Sequence, residues 1–194
     1  MDNFLLEWYY KEDERKYALD NSLNIPIGIL SALTAGIYYL ITKYNYAQES
    51  IFFKTAFLIL MIVTTVLWST CIIYILLSYN GITKKNKYTY FYLPSTSIRN
   101  IEENKLRPYY ENNRTYFEAN QITLDMLVQK NVEQILSECI NKNINSNDRK
   151  AEYLYKSKKS LINCVICLFL AGILFSYNYI KHEKEDIYNI KIIK

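Results

Sequence analysis

The chain has 194 residues, a formal net charge of +4, 51% hydrophobic and 22% charged residues, enough for one structural unit or a small membrane bundle with one soluble module. Mean hydropathy near zero resembles that of a soluble protein, yet three windows, Asn21–Thr42, Thr55–Thr83 and Ser160–Ile180, hold no charged residue at all. Twenty tyrosines with only 4 glycines and 3 prolines fit a low-GC bacterial coding bias, and the four cysteines do not make a secreted disulfide framework.

The first twenty residues carry six acids against three bases, the reverse of a signal-peptide start, and the window after them has no small-residue cleavage site. Residues 1–22 are expected to form an amphipathic helix with Phe4, Leu5, Trp8 and Tyr9 at helical spacing. Two placements suit it equally: along a membrane surface with Trp8, Tyr9 and Tyr10 as interfacial anchors, or packed on the chain's own soluble module.

Residues 23–42 read as a first membrane span, with Pro26 in the first turn, where its missing N–H costs nothing. Gly28, Ala32 and Gly36 recur at i, i+4 and i+8, beside Ser31 and Ala35. Small residues at this spacing allow a close helix approach, against the chain's own second helix or against a second copy. A short hairpin, 43–53, carries Tyr44 and Tyr46 as interface aromatics.

The second span, 54–79, organises the rest. From Thr55 to Ser78 a helix would be about 36 Å long, enough to cross a hydrocarbon core of ~30 Å with some tilt. Lys54, one turn inside, is expected to snorkel outward rather than stay buried as a functional charge. Thr64, Thr65, Ser69 and Thr70 can return their hydroxyls to the i−4 carbonyls. Whether they face neighbouring helices or water separates an anchor from a pore.

Residues 80–159 form the soluble part. From Lys84 to Lys159 there are fourteen Lys/Arg against nine Asp/Glu, with KKNK (84–87) and KSKK (156–159) at the edges. The positive-inside rule puts this part and the N-terminus in the cytoplasm, and the hairpin and tail outside. Lys181, Lys184, Lys191 and Lys194 in the tail argue against that orientation. YTYFYLP (88–94) reads as an extended segment or strand, and Ser95 or Ser97 as the cap of a helix over 98–110 that Pro108 bends or ends. A second helix is expected from about Tyr116, with a stripe of Ile122, Met126, Val132, Ile135, Leu136, Cys139 and Ile140. The stripe weakens in NKNINSND (141–148), where the helix either continues with a bend or breaks near Asn143–Asn147. A third span, 160–180, and a tail, 181–194, complete the chain. The Cys164, Cys167 and Ala171 side of that span is expected to pack on the second. The fold class is therefore all-α integral membrane, three transmembrane helices with a small helical cytoplasmic module between spans two and three.

Cys71, Cys164 and Cys167 lie in apolar windows, where cysteine behaves as a small hydrophobe. The Cys164–Cys167 pair lacks the strand-to-helix turn of a thioredoxin site and the further ligands of a zinc site, so it reads as packing. No phosphate loop, GxSxG, HExxH or EF-hand pattern occurs, His182 is the sole histidine, and no acid sits in mid-span. Neither enzyme activity nor a cofactor or metal is expected. The basic clusters suit topology setting or anionic headgroups. A third reading is a pocket for a phosphorylated signal drawn from Arg99, Arg107, Arg114, Arg149 or Lys150 with nearby tyrosines.

The EDERKYALDN run leading into IPIGIL, the two spans, the YFYLPS segment and NDRKAEYLYKSKKSL before a last span resemble a group of small bacterial membrane proteins. The layout is also similar to SLATT-type two-transmembrane effector domains. That resemblance implies a membrane effector of a nucleotide-sensing conflict system, forming pores or perturbing the bilayer when a linked sensor is triggered. The third span and the 80–159 insert depart from the SLATT pattern, and no functional residue carries over. The expected function is a non-enzymatic, pore-forming or membrane-perturbing antiphage effector of the bacterial inner (plasma) membrane. The alternative is an anchor or adaptor subunit presenting its helical module to a cytoplasmic partner. Expected partners are the lipid bilayer, further copies of the chain, and a cytoplasmic sensor protein or nucleotide signal; no nucleic acid is expected.

Overall fold

The computed structural model describes residues 3–79 and 96–192. Every element in them is an α-helix: α1 (Asn3–Asn21), α2 (Asn24–Lys43), α3 (Ile51–Ser78), α4 (Thr96–Asn112), α5 (Arg114–Ala119) and α6 (Leu124–Ile192). The KKNK cluster, the 88–94 segment and the Ser95 cap lie outside the described residues. Three helical stretches, Phe4–Lys43, Ile51–Ser78 and Leu124–Lys181, are long and apolar enough to cross a membrane. The chain divides into two units, one of residues 20–79 and 151–194, the other of 1–19 and 80–150.

In the first unit, α2, α3 and the C-terminal part of α6 turn one face inward by alternating steps of three and four. Along α2 and its two caps this face is Leu23, Pro26, Leu30 and Leu33, continued by Ile37, Leu40 and Tyr44. On α3 it is Phe57, Met61, Thr64, Cys71, Ile75 and Ser78. On α6 it is Leu154, Ser157, Leu161, Cys164, Leu168, Ala171, Phe175 and Asn178. A 3–4 alternation averages 3.5 residues per turn, close enough to the helical 3.6 to hold one side of each helix on a shared axis. The helices alternate in direction. Phe53 meets Tyr177, Leu67 meets Ser160 and Tyr74 meets Tyr153, so α3 runs antiparallel to α6. Tyr39 meets Phe175 and Asn45 meets Asn178, so α2 runs parallel to it. Many outward positions are apolar: Ile25 and Ile29 on α2, Ile59, Ile62 and Val66 on α3, and Ile162, Ile166 and Phe169 on α6 are all exposed. A helix bundle in water would carry charge there.

The other unit is built on Tyr9, Val128, Val132, Leu136, Cys139 and Ile140, with Leu5, Leu6, Ile98, Leu106 and Ile135 against them. The N-terminal helix thus packs on its own module through Leu5, Leu6 and Tyr9. Tyr9 is buried, while Phe4 and Trp8 are exposed and meet edge to face at 5.2 Å.

One boundary differs from the sequence expectation, and two alternatives that the sequence left open are decided. Pro108 lies inside α4 and does not end it, since the helix continues to Asn112; the cost is the hydrogen bond that its missing N–H would have given to the Asn104 carbonyl. The helix expected from Tyr116 is two helices. Gln121 takes φ 56°, the Ile122 N–H turns back to the Phe117 carbonyl at 2.9 Å, and α6 restarts under a Thr123 cap that accepts the Met126 N–H at 3.2 Å. Finally, α6 is helical through 141–148 without a break. Asparagine disfavours helices by bonding its own backbone. Here Asn143 and Asn147 are buried at inward positions, and the Asn147 amide is committed to α1 instead.

Candidate functional site

Contacts between α3 and α6 depend on small residues at the inward positions. Ser160 Oγ donates to the Leu67 carbonyl at 2.8 Å, Cys71 Sγ to the Ser157 carbonyl at 3.3 Å, and Cys164 Sγ to the Thr64 carbonyl at 3.6 Å. Each donor spends its hydrogen on the other helix's backbone, which is reachable only where side chains are short. Thr64 is fully buried in this seam and returns its hydroxyl to Leu60 O at 2.7 Å. Thr65 and Thr70 do the same toward Met61 and Val66. Both helices therefore meet through a seam whose polar atoms are satisfied internally.

At the α2–α3 hairpin end of the unit lies a buried polar clamp. Glu49, its side chain 1% exposed, accepts from Asn178 Nδ2 at 2.9 Å, from the Ser50 N–H at 3.0 Å and from Lys181 Nζ at 3.3 Å. Asn178 also accepts the Asn45 N–H at 3.1 Å and donates to the Asn45 carbonyl at 3.3 Å. Burial alone would raise the Glu49 carboxyl above the usual range. The hydrogen bonds from Asn178 and Ser50 and the charge of Lys181 outweigh it and hold the group below that range. Next to the clamp, Tyr44 stacks on Phe57 at 3.9 Å, and its buried hydroxyl has no hydrogen-bond partner. Burial, reinforced by the Glu49 charge, pushes that hydroxyl's pKa up.

The other unit has its own polar clasp. Asn147 Nδ2 donates to both Glu12 Oε2 and the Glu12 carbonyl at 2.8 Å, and Arg15 reaches Asp148 at 2.6 Å. Asn131 donates to Glu102 at 2.6 Å, tying α4 to α6. The Asn147 Oδ1 is buried with no hydrogen-bond partner, so the clasp holds through the donor side of that amide alone.

The residues expected from the sequence are distributed as follows. Cys164 and Ala171 are fully buried in the bundle, and Cys167 is half-buried beside them. A side chain at Gly36 would meet Leu168 at 3.4 Å, whereas nothing lies within 4 Å of one at Gly28, and Ala32 is exposed. Steps of four rotate about 40° past a full turn, so Gly28, Ala32 and Gly36 drift across α2 rather than sharing its inward face. Arg99 pairs with Asp125, Arg107 with Glu103, and Arg114 with Glu118 and Glu111, each with a nearby carboxylate. Among the described residues no group of three or more His, Cys, Asp or Glu converges as a metal site would. The inward asparagines and Glu49 escaped the sequence reading. Their signal was spacing: Ser157, Cys164, Ala171 and Asn178 recur every seven residues.

The arrangement defines a helical protein with three helices able to cross a membrane, held by small-residue and amide contacts. Comparison with protein-family models, with characterised proteins and with solved structures returned no match.

Proposed function

We propose that the chain is a non-enzymatic, multi-pass bacterial membrane protein that anchors a helical cytoplasmic module and presents it to a partner. The observation that carries this reading is the exposed apolar surface of the unit formed by α2, α3 and the end of α6. Ile62, Val66, Ile162 and Phe169 point away from the bundle, as lipid-facing side chains do. The anchor reading is favoured over a pore within one chain because Thr64 faces α6 and its hydroxyl is already bonded. The orientation we favour puts the module and the N-terminus inside and the hairpin outside, from the basic edges of the module. The test combines alkaline extraction of membranes with reporter fusions at the N-terminus and within the 44–50 hairpin. Release of the chain by alkali removes the membrane reading, and an external N-terminus reverses the orientation.

A second reading, in line with the SLATT-like layout, is a membrane-perturbing effector that acts as an assembly of copies. Support for it is the exposed small-residue surface of α2 at Gly28 and Ala32, where another helix can approach closely. Induction in bacteria while following membrane potential decides it: unchanged growth and potential, with phage and genomic neighbours present, eliminates the effector.

A further inference from the structure

The inward face of α6 leaves an outward face of Tyr155, Lys158, Lys159, Ile162, Val165, Ile166, Phe169 and Ile173, following one another at helical spacing. Its apolar part is exposed along its length, with Phe169 69% and Ile162 61% accessible. At its N-terminal edge stand two consecutive exposed lysines. Among the described residues neither Lys158 nor Lys159 forms an ion pair or hydrogen bond, whereas Lys156 is neutralised by Glu152 at 2.6 Å and lies over the Tyr153 ring. Tyr155, 68% exposed, is on the same side one turn earlier. Two uncompensated ammonium groups, an amphipathic ring and then an unbroken apolar stripe match the layers of a leaflet carrying negative headgroups.

We infer that Lys158 and Lys159, with Tyr155, bind the headgroups of anionic phospholipids on the side where α6 enters the apolar layer. This inference rests on the membrane reading proposed above and names the lipid that the anchor selects. Each basic residue near an anionic surface strengthens binding about fivefold, so the pair is worth about 30-fold.

The full chain in neutral detergent, titrated with phosphatidylglycerol or phosphatidylcholine and followed by native mass spectrometry of lipid-bound states, tests it. Phosphatidylglycerol should bind about 30-fold more tightly, and K158Q/K159Q should reduce that preference to within about threefold. K130Q/K142Q, which removes two exposed lysines elsewhere, should leave it intact. No preference in the wild-type chain, or a preference kept by K158Q/K159Q, overturns the inference. So does competition by soluble glycerol phosphate at matched concentration, which would mark a free-phosphate site. Alkaline extraction separates the two failures. A chain retained in membranes but indifferent to lipid charge defeats only the lipid assignment, while a chain released by alkali defeats both.

Discussion

Replacing Asn178 by leucine keeps nearly the same volume at an inward position of α6 but removes the amide that joins α6 to the hairpin. Three hydrogen bonds disappear, two to the Asn45 backbone and one to Glu49 Oε2. Packing is largely conserved, so the cost comes from the hydrogen bonds lost at the Asn45 backbone and at the buried Glu49 carboxylate. At about 1–3 kcal/mol for each of the two sites that lose a buried partner, Asn178→Leu should destabilise the bundle by about 2–6 kcal/mol. For a chain of this size that corresponds to a Tm lower by ~4–24 °C. The buried thiols of Cys71 and Cys164 supply the assay, since a thiol-reactive fluorophore reports their exposure during heating in detergent. Glu49→Gln combined with Asn178→Leu should cost less than the two single changes added, because both act on one pair. A Tm within about 1 °C of wild type for Asn178→Leu would refute the idea that the clamp holds the helices together.

The same clamp sets a pH dependence. Glu49 titrates below its ordinary value, so its stabilisation is complete above about pH 4.3 and is lost as pH falls through the depressed folded value. Wild-type Tm should therefore drop below about pH 4 more steeply than that of Glu49→Gln, read by the same thiol assay. Tyr44→Phe removes a buried hydroxyl that bonds to nothing, and should be neutral or stabilising by up to ~1 kcal/mol; a clear loss of Tm would mean the hydroxyl has a role. Gly36→Leu drives a side chain into Leu168 and should cost about 1–3 kcal/mol, while Gly28→Leu should leave Tm unchanged. If Gly28→Leu nevertheless abolishes crosslinking between copies, the exposed face of α2 is the assembly surface. Asn147→Ala unties Glu12 and should speed amide exchange across residues 143–150 of α6, by ~10-fold for a loss of 1–2 kcal/mol.

Three long apolar helices were legible from the sequence because charge is absent from whole windows, a signal that survives any packing. What faced inward was harder to see. Gly28, Ala32 and Gly36 attracted notice as small residues four apart, but the inward face of α2 advances by three and four, through Leu30, Leu33 and Ile37. Residues 141–148 looked like a failing stripe because its inward positions are asparagines, and propensity gives no hint that Asn147 has a tertiary partner. The start of α6 was present locally, in Thr123 followed by Asp125, yet no residue type marked the left-handed Gln121 before it, so the expected helix extends back to Tyr116. Glu49 was passed over as a hairpin residue, since only the return of α6 beside the hairpin encloses it.

The sevenfold repeat of small and apolar residues along α3 and α6 has an implication for assembly. A helix with a heptad face can slide along its neighbour by about 10 Å, seven residues, and find another sterically acceptable register. Only one of those registers brings Asn178 level with Asn45 and Glu49. Every other separates the Asn178 amide from both of them, so this pair works as a pawl, locking a sliding surface at a single notch.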